Sequence, residues 1–471
     1  SFAVLPEGAA LKADIGFKVT KLDSYPISFS EGITAERVTY TGSNKAPAGE
    51  KVSYKITSDD NLIVKGTAED GTDIPFTFDS VTKQLSFNMV AQPVTVSVEK
   101  FQMSASVGAE NYRINLLPAG DGEYYLLLPA NVNLSQIKLN GNVNLQKGGV
   151  DAKLASGSVT ASTLSSLTGG ITAGETYAFD ITDNTDRKIA ELKVIAAENV
   201  SSMFITSNKT VAELNASKTN KGKGSIYLYD KDGNQINTDV TLDQIKGRGN
   251  TSWNASGEKK PYNIKLAKKA ELIENAGAAK KWCLISDNCQ GNWVYEGAGL
   301  ANMAAYDVYE SIAQDGSYPM AHEFVNLYIN GDYRGVYMLT EKVEIGEERI
   351  NVAEPKYTNE DETGKTLIKK TGDVYPHPQY WSYVNTADAT VDDSDAAIKA
   401  GIQAYQYATD SALDGETGGF LLELDRGFYG EASYFITKRG IPYVLKEPEF
   451  ATKEQVQKIA IYMQEFEDAL Y

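Results

Sequence analysis

The feature that most limits what this chain can fold into is a two-residue alternation of apolar and polar positions, carried in short runs through roughly its first two hundred residues. Lys51-Val52-Ser53-Tyr54-Lys55-Ile56 and Val94-Thr95-Val96-Ser97-Val98 are examples, and Gly, Asp, Asn and Pro separate one run from the next. Successive side chains of a strand point to opposite faces, so this period predicts half-buried strands joined by turns. Further turn signals stand at Ala119-Gly120-Asp121-Gly122 and Gly169-Gly170, with a last strand expected at Ala190-Glu191-Leu192-Lys193-Val194-Ile195.

Two small all-β modules follow from this spacing, one over 1–100 and a second over 101–200 that reads as an immunoglobulin-like sandwich. After Val200 the pattern changes. Apolar residues take helical spacing from Trp293 to Ala313 (Leu300, Met303, Ala304, Val308, Ile312) and from Lys453 to Tyr471 (Val456, Ile459, Ile461, Tyr462, Phe466, Leu470). Strands are expected between them at Val325–Ile329 and Gly335–Leu339, which makes 201–471 an α+β domain. A polar stretch rich in Asp and Thr, Lys356 to Gly418, is either a substrate-facing insertion or a long mobile loop.

Composition removes several function classes. Lys and Arg number 45 against 63 Asp and Glu, so the formal charge of −18 argues against neutralising a nucleic-acid backbone or an anionic membrane. No stretch nears the roughly 20 apolar residues that span a bilayer, so membrane insertion is not expected. With two histidines, His322 and His377, a hydrolase triad has few players, and neither a Walker loop nor a zinc-type Cys or His spacing occurs. Cys283 lies in the apolar run Trp282-Cys283-Leu284-Ile285 and reads as a buried thiol, and pairing with Cys289 is left open. The 28 tyrosines suit packing first and polysaccharide stacking second.

The densest chemical cluster is Lys246-Gly247-Arg248-Gly249-Asn250-Thr251-Ser252-Trp253, followed by Lys259-Lys260-Pro261-Tyr262-Asn263-Ile264-Lys265-Leu266. Glycines alternating with a long cation let backbone amides and a guanidinium approach one anion; the bland alternative is a tight turn with a solvated Arg248. Lys265, between Ile264 and Leu266, sits on the opposite strand face from its apolar neighbours. Glu423 and Asp425 alternate on an expected strand, which suits metal coordination, substrate contact or pairing with Arg426 or Arg349.

Five ordered strings carry a family resemblance: Lys246 to Trp253, Lys259 to Lys265, Lys281 to Ser286, Leu327 to Lys342, and Gly418 to Asp425. Together they resemble the signature of CotH proteins, the spore coat protein H-like kinases. The hairpin at Gln84 to Val96 resembles the small β-repeats of bacterial surface proteins.

The CotH resemblance implies an atypical protein kinase that uses ATP with Mg or Mn to phosphorylate serines of a partner protein. It implies nucleotide binding by Arg248, Asn250, Lys265, Glu341 and Val343, with Lys265 and Glu341 as the catalytic pair. Glu341 would serve either as ion-pair partner of Lys265 or as a hinge residue at the adenine.

Two departures stand out. The loop Gln290 to Glu296 lacks the family's acidic residue and Arg-Asn pair, and the metal-binding aspartates are expected beyond Tyr471, which would make this a C-terminally incomplete kinase domain with apolar surface left exposed. The expected setting is a secreted or cell-surface bacterial protein, and the competing reading is a non-catalytic scaffold or binding module of a coat, extracellular complex or adhesin.

Overall fold

A computed structural model describes residues 22–39, 43–58, 60–108, 111–120, 122–130, 137–148, 150–153, 157–160, 170–182, 186–286, 300–314, 316–353, 395–407 and 419–471. Most of residues 356–418, Cys289, His377 and the loop at 290–296 lie outside them, so the readings placed there have no structural counterpart here.

The chain forms two bodies: Ser1–Lys268 with Cys283–Ala301 and His322–Leu339, and Lys269–Trp282 with Asn302–Ala321 and Thr340–Tyr471. In the first body, strands between Ser24 and Phe101 make a five-stranded and a four-stranded sheet. Alternate residues of both sheets, among them Val52, Tyr54, Leu85, Val94 and Val96, fill one core, so the period seen in the sequence is the burial of a sandwich's inner faces. A second two-sheet sandwich follows, with a four-stranded and a six-stranded sheet whose strands run from Met103 to Ala196. Its core gathers Met103, Ala105, Ile114, Leu126, Leu139, Phe179 and Leu192. The two small all-β modules are therefore present.

Beyond Val200, strands Ser201–Ser207, Lys221–Tyr229, Gln235–Gly247, Tyr262–Ala270, Ala279–Ile285, Asp332–Glu341 and His322–Ile329 close a barrel in that order. The third region thus carries more strand than its helical spacing suggested. Asn330 (φ 53) and Gly331 (φ 92) make the tight turn of its last hairpin, where two successive left-handed residues match the twist of the flanking strands. The second sandwich is joined to the barrel rather than strung before it. Its core cluster includes Phe204, Tyr227, Tyr229 and Tyr328 of the barrel, and Tyr328 donates its hydroxyl to the Leu127 carbonyl at 2.9 Å.

The second body contains a four-stranded sheet, Ala404–Gln406, Tyr434–Ile436, Pro442–Glu447 and Leu421–Leu424, packed with the helix Lys453–Leu470. That helix starts from a Thr452 capping box with Gln455. Its buried face differs from the one the apolar spacing marked: Val456 and Ala460 are buried with Gln464 and Glu467, whereas Tyr462, Phe466 and Leu470 are exposed. Polar side chains can be buried there because each is satisfied. Thr437 donates to Glu467 at 2.9 Å, and the Lys438 backbone amide donates to Gln464 at 2.7 Å. The other helix begins at Leu300 and ends at Ile312, and of its marked residues Val308 and Ile312 are exposed rather than core.

Candidate functional site

In the first body the strands Lys221–Tyr229, Gln235–Gly247 and Tyr262–Ala270 lie side by side, with Lys221 opposite Lys246, Lys246 opposite Asn263, and Gln244 opposite Lys265. Ile245, Ile264 and Leu266 are buried, so the alternate residues Lys221, Lys223, Lys246 and Lys265 share the other face. Two lysines directly opposite each other repel, an arrangement that costs stability unless something else favours it. Among the described residues no carboxylate lies within ion-pair reach of Lys221, Lys246 or Arg248. On a chain of net charge −18, this strip is a local concentration of positive charge.

One acid stands in it. A register shift between Leu242 and Gln244 inserts Asp243 as an extra residue of its strand, and such bulges re-aim side chains. Asp243 meets Lys265 at 3.3 Å and Lys223 at 3.5 Å. The hydrogen bond from Lys265 holds its carboxyl below the ordinary value, helped by Lys223. The pair is exposed, so salt screens it and an anion with several charges can compete for the lysine. Lys265→Met should let the Asp243 titration midpoint, followed by carboxyl-carbon NMR, climb back toward that of an ordinary aspartate. An unmoved midpoint would show that Lys265 does not govern this carboxylate.

The glycine-spaced turn is built differently from an open cradle. A Cβ at Gly247 would run into the Trp253 ring, and Gly249 (φ +77) faces Ser252 with equally little room. The space beside the glycines is thus filled by the protein's own side chains. Trp253 is buried, with Lys260 Nζ 5.1 Å from its ring centroid and donating to its carbonyl at 2.8 Å. Arg248 is held at its backbone, where its amide donates to the Pro261 carbonyl at 3.1 Å. Asn250 precedes the short helix Thr251–Ala255 without capping it and accepts from Lys218 Nζ at 2.6 Å. Arg248 directly follows Gly247, the last paired residue of its strand, and stands four positions along from Gln244, the residue opposite Lys265, roughly 13 Å.

Glu341 belongs to the second body and is buried there with Arg349, side chains 1% and 3% exposed, at 2.8 Å. Tyr318 donates to both of its carboxylate oxygens at 3.0 and 2.9 Å. Burial pushes the Glu341 carboxyl up from its usual value, while the Tyr318 hydrogen bond and the Arg349 charge pull it back. The Tyr318 hydroxyl is itself pushed up to about 12, by burial first and then by Glu341. Arg349 also donates to the Ala276 carbonyl at 2.8 Å and lies 4.7 Å over the Trp282 ring. Lys265 and Glu341 therefore each carry a different counter-ion, Asp243 and Arg349, and sequence reasoning foresaw neither partnership. Val343, two residues on, is exposed.

Glu423 and Asp425 do not alternate on one strand, because the strand ends at Leu424 and Asp425 starts the following turn. Glu423 pairs with Lys446 at 3.1 Å, and Asp425 accepts from the Gly427 amide at 2.7 Å. Neither meets Arg426 or Arg349 in the ways considered. Among the described residues no group of three or more His, Cys, Asp or Glu side chains could hold a metal ion. The basic strip thus suits the phosphates of a nucleotide, while the described residues supply no fitting cage for its divalent cation. Cys283 is buried as expected, its thiol donating to Asn263 Oδ1 at 3.4 Å.

Residues 245–408 match the family model described as CotH kinase protein. The resemblance carried by the sequence strings is borne out over that span, which contains Arg248, Asn250, Lys265, Glu341 and Val343 but neither Glu423 nor Asp425. No curated protein matches the chain.

Proposed function

Taking the CotH kinase match as premise, we propose that this chain is a secreted or cell-surface bacterial phosphotransferase of CotH type, which moves the ATP γ-phosphate to serines of a partner protein. The observation that carries this reading is the lysine strip, Lys221, Lys223, Lys246 and Lys265, of which Lys246 and Lys265 lie within the matched span together with Arg248. Phosphoryl transfer is mostly positioning and charge neutralisation, and fixed cations facing the triphosphate supply both. When ATP enters, Lys265 exchanges Asp243 for a phosphate oxygen, and Arg248 and Lys246 take further oxygens. A divalent cation would supply further charge neutralisation at the triphosphate, and among the described residues no ligand set for it is found.

Two observations favour the scaffold reading: the glycine spaces are filled, and Lys265 is already engaged by Asp243. Thermal unfolding of the full chain with ATP and Mg2+ separates the two. Binding to the folded state alone must raise the midpoint as ATP is added. Lys265→Ala should weaken apparent ATP affinity about tenfold, the worth of one charge-assisted hydrogen bond. A midpoint that stays put at millimolar ATP would leave the scaffold standing.

A further inference from the structure

A cavity of about 450 Å3 opens where the second sandwich meets the barrel. Its size falls within the range of roughly 300–1,000 Å3 typical of small-molecule sites. None of the residues discussed above for phosphates lines it. Aromatic residues line its floor, Tyr112, Phe204 and Tyr328: Tyr112 of the sandwich lies tilted over Tyr227 at 4.0 Å between centroids, and Phe204 stacks on Tyr328 at 4.6 Å. Phe204 pairs across strands with both Tyr227 and Tyr328, and two residues further along the same face Thr206 stands directly opposite Ser225. The ladder therefore sets two hydroxyls beside an aromatic floor by register alone.

The polar groups at the rim divide into used and unused. Asn330 is committed, accepting from the Ser207 amide at 2.7 Å and donating to the Lys209 carbonyl at 2.9 Å. Asn111 accepts from Lys138 at 3.0 Å. By contrast, among the described residues the hydroxyls of Thr206 and Ser225 and the guanidinium of Arg113 show no hydrogen bond or ion pair. Gly331 keeps the approach of the sandwich close, since a Cβ there would meet Arg113 Cγ at 3.1 Å and Asn115 Nδ2 at 3.0 Å.

We infer that this cavity binds a short acidic saccharide. A sugar ring offers an apolar C–H face to Tyr112, the lining aromatic that is only partly buried, and hydroxyls to Thr206 and Ser225. A ring carboxylate completes the match by taking Arg113 in two parallel hydrogen bonds, which a neutral sugar cannot do. A nucleotide is a poorer fit, because Arg113 is the single cationic residue among those lining the cavity and phosphates would need more.

The test is calorimetric titration of the full chain, without nucleotide, with an oligogalacturonate and with its neutral methyl ester. The acid should bind at least about tenfold more tightly than the ester, the discrimination a bidentate Arg–carboxylate pair gives. Arg113→Gln, on an exposed residue, should abolish that preference while leaving the ester unaffected. Ser225→Leu should fill the cavity and remove binding of both; should it fail to fold, Thr206→Val reads the same rim and should weaken both ligands. Absence of acid binding at millimolar concentration, or an Arg113→Gln variant that still prefers the acid, would overturn the assignment. Because the titrations contain no ATP, their failure leaves the phosphotransfer reading untouched, and the reverse holds as well.

Discussion

Replacing Arg349 with alanine is expected to lower the stability of the second body by about 3–5 kcal/mol, the usual consequence of leaving one half of a buried ion pair uncompensated. Arg349 and Glu341 are almost wholly withdrawn from water, at 3% and 1% side-chain exposure. The substitution strands a carboxylate that burial already disfavours in its charged form. It also removes a donor from the Ala276 carbonyl and uncovers the Trp282 ring.

Exchanging both partners for apolar residues of similar size, Glu341→Leu with Arg349→Met, should recover most of the loss, because no charge is then left buried. Tyr318→Phe removes a neutral donor and should cost less, about 1–3 kcal/mol. Scanning calorimetry of the full chain would read all three. A single Arg349→Ala variant that melts with the wild type would mean that the pair contributes nothing to the body that holds it. This result also bears on function. A glutamate locked by Arg349 and Tyr318 is a fixed post at the end of its strand, suited to positioning the chain that follows.

What could be read from the sequence, and what could not, divides along a physical line. Strands announce themselves by a period of two, so Val94–Val98 emerges inside the strand Val94–Phe101 and Lys51–Ile56 emerges unchanged. The side of a strand is local information too, which is why Lys265 was placed on the face away from Ile264 and Leu266. Register is not local. Asp243 faces Lys265 only because a bulge at Leu242 and Gln244 slips the ladder by one, and Lys221 and Lys223 join the strip from a strand more distant in sequence.

The same limit explains the helix Lys453–Leu470. Its apolar spacing was plain, but Gln464 and Glu467 are buried because Thr437 and Lys438 satisfy them, and those partners lie on another element. Tyr462, Phe466 and Leu470 stand outside as a consequence. For the candidate site, the residue types were legible and the counter-ions were not: side chains name the charges available, and only the fold decides which of them meet.

The glycines of the Lys246 to Trp253 string give the sharpest way to separate packing from ligand binding. Gly247→Ala should cost about 1–3 kcal/mol, because the added methyl has no room beside the Trp253 ring and the indole must shift. Trp253→Ala should cost about 3–5 kcal/mol, since it empties a buried site and takes away the surface beneath Lys260. The combination carries the information. In the Trp253→Ala background the obstacle is gone, so adding Gly247→Ala should cost little, and the two changes should couple strongly in a double-mutant cycle. If instead the glycine were kept bare for an anion, Gly247→Ala would weaken stabilisation by ATP equally whether or not the indole is present. Additive stabilities together with an equal loss of ATP response would overturn the packing account and return the turn to the phosphates.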